Sequence, residues 1–347
     1  MFSVVVTTND VVGERMAGPG IRAFYLTREL SKHLGGQVFL SSFSTPGRKR
    51  RKKDLTPEVL IGQPGRGMGR HRKGQKLVFD LFDPILLELR EMYRHGATLR
   101  DRIHYAAESW RLRRALADGD LIVCATPAQR ELYAAARCPI IEVPFGIDPD
   151  EIAPAEERED VVVWGGGTWE WLDPRTAVDA IVRLNHEGVE CRLLFLGRNR
   201  PNRRASDRID ELLAGGHPFV MANDEWVPYR ERLSWLRRAK IAMMLHRPTP
   251  EARYSIRTRL FDAIVTATPV VATVEGFAAD LVAREGLGIV VPPSDANAVA
   301  VAVRRLLQDD GFYRTCVSNL ERIRPRFAWS VVTRPLIEAV SEWQKQS

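Results

Sequence analysis

The sequence predicts an α/β protein made of two Rossmann-like, doubly wound domains facing across a cleft. Three observations carry that expectation. The chain has 347 residues, more than one typical domain. Short apolar runs alternate with amphipathic segments throughout, the pattern of parallel strands joined by helical crossovers. That alternation restarts after a polar, proline-containing stretch at 149–160.

In the first half, Phe2 to Val6 reads as a buried strand, and 21–34 carries Ile21, Phe24, Tyr25, Leu30 and Leu34 at helical spacing. Strands follow at 38–43, 59–62 and 77–79, then helices at 85–95 and 98–117. A strand at 121–124, a helix at 127–136 and a strand at 140–143 complete it. The second half opens with Val161 to Trp164 and proceeds through a helix at 175–188, strand 192–196, helix 205–214 and a short strand at 219–221. A helix at 230–239, strand 241–245, helix 256–266, strand 270–273, helix 277–284, strand 288–291 and a helix from Ala296 follow. A closing amphipathic helix spans 327–344. The domains expected are 1–148, 149–326 and a terminal helix, 327–347, returning to the first.

Composition narrows the class. Hydrophobic content of 45% and charged content of 27% suit a globular protein with a sizeable core. No run approaches the roughly 20 apolar residues of a membrane span, and the opening MFSVVVTTND lacks the basic lead of a signal peptide. The four cysteines, Cys124, Cys138, Cys191 and Cys316, form no CxxC pair, so free thiols in a reducing cytosol are expected and a zinc site is not. The net charge of +7 lies wholly in residues 1–150, and 44–76 alone holds 11 basic against 2 acidic residues. That stretch reads either as a solvated loop or as a contact with an anionic membrane surface or anionic acceptor. It lacks the interleaved aromatics that stack on bases, so nucleic acid is not expected.

Three segments carry candidate chemistry. Gly18, Gly20 and Arg22 follow the first strand and open a helix, a geometry in which free amides and close backbone approach favour an anion. The full GxGxxG pattern is absent, so a nicotinamide fingerprint is not met. In 251–269, Ser255 is expected to cap a helix, leaving the amides of Ile256, Arg257 and Thr258 for a diphosphate. Arg257 and Arg259 add charge there without a metal. Asp262, two turns on, suits ribose hydroxyls. In the third segment, Gly166 and Gly167 follow the strand that begins the second half, where open α/β sheets place ligands. Arg198, Trp226, Val227 and His246 sit at other strand ends of the same domain.

Taken in order, GPGIR (18–22), LVFDLFDP (77–84), LIVCATPAQRELY (121–133), VPFGID (143–148), WGGGTWEWLDP (164–174), FLGRNRPN (195–202), EWVPYRERLSWLRRAKIAMMLH (225–246) and YSIRTRLFDAIVTATPVVAT (254–273) resemble the GT-B glycosyltransferases. Within that fold the likeness is to the retaining family 4, in an actinobacterial-type branch, over nearly the whole chain. The resemblance implies a metal-independent hexosyltransferase without a cofactor, using a nucleotide-diphosphate sugar as donor. The acceptor is expected to be a glycan, a lipid-linked molecule or a small molecule, and the protein to be cytoplasmic or peripheral on the inner membrane face. It places Ser255 and its neighbours at the diphosphate, Asp262 at the ribose, Trp226 and Val227 near the base, and Gly18 and Gly20 near the diphosphate and the transferred sugar. Arg198 and Arg257 are the expected stabilisers of the leaving group, and Asp83 the residue orienting hydroxyls. Two departures stand out: Tyr254 and Asp262 occupy the positions of the family's two glutamates, and the histidine that many members place beside the reacting sugar is missing. A catalytically degenerate nucleotide-sugar sensor is the alternative these departures leave open.

Overall fold

The computed structural model describes residues 2–14, 16–35, 37–44, 57–65, 67–68, 72–152, 157–197, 209–225 and 227–347. The chain divides into two compact units. The first comprises Met1–Leu89, Gly96–Gly146 and Phe327–Ser347, and the second Arg90–His95 and Ile147–Arg326.

The first unit is a six-stranded parallel sheet of β1 (Ser3–Thr8), β2 (Gln37–Ser42), β3 (Val59–Gly62), β4 (Lys76–Asp80), β5 (Leu121–Cys124) and β6 (Ile140–Glu142). Its order is β2-β1-β3-β4-β5-β6. Helices α1 (Gly18–Leu34), α2 (Ile85–Met92), α3 (Leu99–Asp118) and α4 (Pro127–Leu132) interleave with the strands, α2 running across the boundary at Leu89. Because side chains alternate along a strand, each strand supplies both faces. Val4, Val6, Val59 and Ile61 pack with Leu26 and Leu30 of α1, while Leu60, Leu77, Phe79 and Ile122 form the opposite core with Met68 and Tyr133.

The second unit is also a six-stranded parallel sheet, with β7 (Glu159–Trp164), β8 (Arg192–Phe195), β9 (Val220–Ala222), β10 (Ala239–Met244), β11 (Val270–Thr273) and β12 (Gly288–Val291) in the order β12-β11-β10-β7-β8-β9. Its helices are α5 (Pro174–His186), α6 (Ile209–Leu213), α7 (Arg232–Arg238), α8 (Pro250–Tyr254), α9 (Arg259–Thr266), α10 (Gly276–Glu285), α11 (Ala296–Gln308) and α12 (Asp310–Ile323). The chain then returns to the first unit as α13 (Trp329–Val332) and α14 (Arg334–Lys345). Trp329 is buried and stacks on Tyr25, with ring centroids 5.1 Å apart, and Leu336, Ile337 and Val340 enter the first core.

Three expected helices have different limits, each for a local reason. The one expected at 256–266 starts only at Arg259, as α9, because Arg257 adopts a left-handed φ of 43°; α8, which precedes it, was not expected. The helix from Ala296 stops at Asp309, whose side chain caps α12 by accepting from the Phe312 amide. The terminal helix breaks at Thr333, ahead of a proline in the first turn of α14, where a missing N–H costs nothing. The helix expected at 205–214 is seen only over α6, since 198–208 lie outside the described residues.

Candidate active site

In a doubly wound sheet the strand order reverses at one point, and the connections on either side diverge there to leave a crevice at the carboxyl edge. In the second unit that point lies between β7 and β10. Everything that follows β7, β10 and β11 therefore converges on one edge.

The segment after β10 forms the centre. Helix α8 ends at Tyr254, and Ser255 closes it, its amide donating to the Glu251 carbonyl at 3.0 Å. Ser255 is thus a helix C-cap, not the N-cap expected from the sequence; α9 begins only at Arg259, with Thr258 at its cap. Arg257 is left-handed at φ 43° and Thr258 right-handed at φ −57°. Successive residues of opposite hand turn their N–H groups inward, into an anion-binding concavity. Among the described residues, the amides of Ile256, Arg257 and Thr258 donate to no backbone or side-chain acceptor.

Glu251, which the sequence reading overlooked, holds this bend. It is fully buried and accepts from both terminal nitrogens of Arg257, at 2.7 and 2.6 Å. The Arg257 Nε hydrogen is buried and has no acceptor among the described residues, as does the Thr249 hydroxyl at the start of α8. No sequence signal marked this pairing, because Glu251 and Arg257 are six residues apart, a separation that no regular helix brings face to face.

Gly166 and Gly167 lie in the loop after β7. Arg259 reaches back from α9 and donates to the carbonyls of Gly165 (2.7 Å) and Gly167 (2.6 Å), while its guanidinium lies over the Trp164 ring. It supports the loop directly rather than standing apart as a charge. Gly197, at the end of β8, comes so close that a Cβ there would stand 2.2 Å from the Gly166 carbonyl oxygen. That approach makes glycine obligatory at 197.

His246 lies two residues past β10, buried, with its amide donating to the Thr273 hydroxyl at 3.1 Å. Burial and the nearby Arg257 charge push the imidazole below its ordinary pKa, partly offset by the carbonyls of Arg247 and Glu275 and by Glu251. Its neighbours at the end of β11, Glu275 (φ 89°) and Gly276 (φ 84°), lead into α10. Asp262, on α9, is gripped by Arg232 at 3.0 Å, which also pairs with Glu151 and stacks on Tyr229. Val227 packs beside the cluster of Val161, Val163 and Leu236. Arg198 and Trp226 lie outside the described residues.

In the first unit the order reverses between β1 and β3. Gly18 and Gly20 open α1 at that edge, and a Cβ on Gly20 would lie 2.3 Å from the Val11 carbonyl oxygen, so only glycine lets the β1 loop touch the helix. Arg22 does not face a ligand. It is fully buried, bidentate to Asp80 (2.7 and 2.9 Å), and donates to the Pro144 carbonyl, its charge spent within the core. Asp83, just past β4, accepts from the Gln63 amide at 3.4 Å.

Among the described residues, no group of three His, Cys, Asp or Glu side chains is placed to hold a metal, and no helix is long and apolar enough to cross a membrane. Comparison with known proteins agrees with the architecture. Residues 159–309 match the family described as glycosyl transferases group 1. Solved structures align over essentially the whole chain: a sucrose-phosphate synthase from Thermosynechococcus elongatus (16% identity, TM-score 0.73, all of both chains) is one. Others are HepE of Anabaena in complex with UDP-glucose (12%, 0.69, 99% of this chain and 100% of that one) and WaaG, a glycosyltransferase involved in lipopolysaccharide biosynthesis (13%, 0.69, 97% and 99%). At these identities the likeness establishes the fold, that of the GT-B glycosyltransferases. No curated protein sequence matches the chain.

Proposed function

We propose, with the group 1 glycosyl transferase domain at 159–309 as the premise, that this protein transfers a hexosyl-type sugar from a nucleotide-diphosphate sugar to an acceptor hydroxyl. The anomeric configuration is retained and no metal or cofactor is required. The observation that carries the reading is the run of unpaired amides at 256–258, beside the buried, unsatisfied Nε of Arg257, at the edge where the second sheet reverses.

Such a concavity binds a diphosphate through hydrogen bonds that shorten and strengthen as the leaving group gains charge. The bond between the sugar's anomeric carbon and the phosphate oxygen breaks, the acceptor oxygen bonds to that carbon, and the hydroxyl proton passes to the departing phosphate. Arg257 sits where it stabilises that charge, fixed in orientation by Glu251, and Arg259 holds the 165–167 loop to shape. Asp262, oriented by Arg232 through one oxygen, presents the other to a ribose hydroxyl. The carboxyl edge of the first unit's own sheet, with Gly18, Gly20 and Asp83, is assigned to the acceptor, and 44–76 to contact with an anionic membrane surface carrying a lipid-linked acceptor. Eight of the 11 basic residues in 44–76 lie outside the described residues.

Release of nucleotide diphosphate from a panel of UDP-, GDP-, ADP- and TDP-hexoses tests the reading, with the product's anomeric configuration read by NMR and turnover repeated in EDTA. Turnover lost in Arg257→Ala and weakened in Asp262→Ala is expected. Binding of a donor with no turnover under any acceptor would establish the sensor reading instead. Unchanged donor affinity in both variants would refute the site.

A further inference from the structure

Helix α3 has a surface that the transfer reaction does not use. Its 20 residues span about 30 Å at 1.5 Å per residue, whereas the neighbouring five-residue β4 spans about 16 Å. Only its last turns enter the core, through Leu112, Ala115 and Leu116, and the chain then turns directly into β5 at the amino edge of the sheet. The first turns therefore extend past the carboxyl edge, the edge that carries Gly18, Gly20 and Asp83.

Along this overhang, Leu99, Ile103 and Trp110 are 75%, 62% and 57% exposed, and Ala106 is exposed between them. Their spacing of four, three and four residues puts all of them on one face of the helix. A stripe of this kind on a monomer marks an interaction surface. Its borders identify the partner. Arg100, Arg102 and Arg113 flank the stripe, all exposed and, among the described residues, in no salt bridge, although Arg100 lies within electrostatic reach of Asp101. The acids of the helix point elsewhere: Asp101 is committed to the capping box with Thr98, and Glu108 and Asp118 pair with Arg111 and Arg114. An apolar stripe edged by these arginines would bring like charges together against a second copy of itself. It matches the boundary of an anionic bilayer, where the apolar side chains reach the acyl region and the guanidinium groups meet phosphates.

We infer that the exposed face of α3 is a docking surface for anionic lipid membranes, inserting Leu99, Ile103 and Trp110 and holding the carboxyl edge of the first unit at the headgroup level. This contact is separate from the basic stretch at 44–76 and does not depend on the donor-site assignment. The experiment is co-sedimentation of the full chain with phosphatidylcholine vesicles containing 0 or about 30% phosphatidylglycerol, at low and high salt. The wild type is expected to bind only the anionic vesicles. Ile103→Glu/Trp110→Glu, which alters exposed positions, is expected to keep the wild-type melting curve and nucleotide release from the donor in the presence of a soluble acceptor while losing at least about tenfold in vesicle affinity, the size expected from removing two inserted side chains. No wild-type binding, or equal binding by this variant, would overturn the inference. So would binding that disappears only on neutralising 48–53. A dimer of the wild type in sedimentation velocity that the same variant dissociates would also overturn it, by assigning the stripe to a second copy.

Discussion

Glu251→Gln isolates the feature on which the proposed donor site turns. Glu251 is fully buried and the Arg257 side chain is 9% exposed, so their two hydrogen bonds form almost without water. Removing one partner of a buried ion pair leaves the other charge uncompensated, at a cost of roughly 3–5 kcal/mol. Glutamine retains the shape and one acceptor, which puts the expected loss near ~3 kcal/mol. The pair also holds Arg257 in a left-handed conformation that costs an L-residue about 1–2 kcal/mol, so its loss releases the bend. For a unit the size of Ile147–Arg326, each kcal/mol moves the midpoint by about 2–4 °C, giving a drop of roughly 6–12 °C in calorimetry. Isothermal titration with a nucleoside diphosphate is expected to show binding weakened at least about tenfold. In Glu251→Gln/Arg257→Gly, glycine accepts the positive φ and neither charge is stranded, so the double variant is less destabilised than the sum of the singles. A Glu251→Gln protein that melts with the wild type and binds nucleotide equally would refute both the anchoring role and the geometry of the amide concavity.

Other outcomes follow from separate parts of the molecule. Gly197→Ala places a methyl 2.2 Å from a backbone oxygen that has no flexible end to yield, so the 165–167 loop shifts and nucleotide affinity falls; wild-type affinity with an unchanged melt would contradict it. His246 has a depressed pKa in the folded state, so the unfolded chain binds more protons as pH falls below about 6.5 and stability declines there. Denaturant titrations from pH 8 to 5 are expected to show that decline reduced in His246→Gln, and an identical slope in both would remove the assignment. Asp80→Asn strands the buried Arg22 guanidinium and is expected to cost about 3–5 kcal/mol in the first unit, read as a lowered urea midpoint without a change in the nucleotide affinity of the second.

The division into two α/β units and nearly every strand were legible in the sequence, because a strand buried on both faces must be a short apolar run wherever it lies in the chain. Val4 to Val6, Leu121 to Cys124 and Val270 to Thr273 are such runs. Turn glycines were legible for a related reason: Gly20 is required by backbone contact at a strand-to-helix junction, a demand that local sequence announces. The late start of α9, after the left-handed Arg257, and the break at Thr333 were not, since helical periodicity continues through these positions while the backbone does not.

Charge is where sequence reasoning reached its limit. A motif can say that an arginine stands near a helix start; it cannot say which acid, if any, will neutralise it. Arg22 meets Asp80 across 58 residues of chain and Asp262 meets Arg232 across 30, pairings created only when separate crossovers bring them to one place. By itself the sequence determined the sheets, because burial patterns are local. The tertiary structure alone decided that Arg22 is spent in the core, that Glu251 locks Arg257, and that the amides at 256–258 meet no acceptor among the described residues. Coulomb pairing and hydrogen bonding depend on distances in space, which chain separation does not encode.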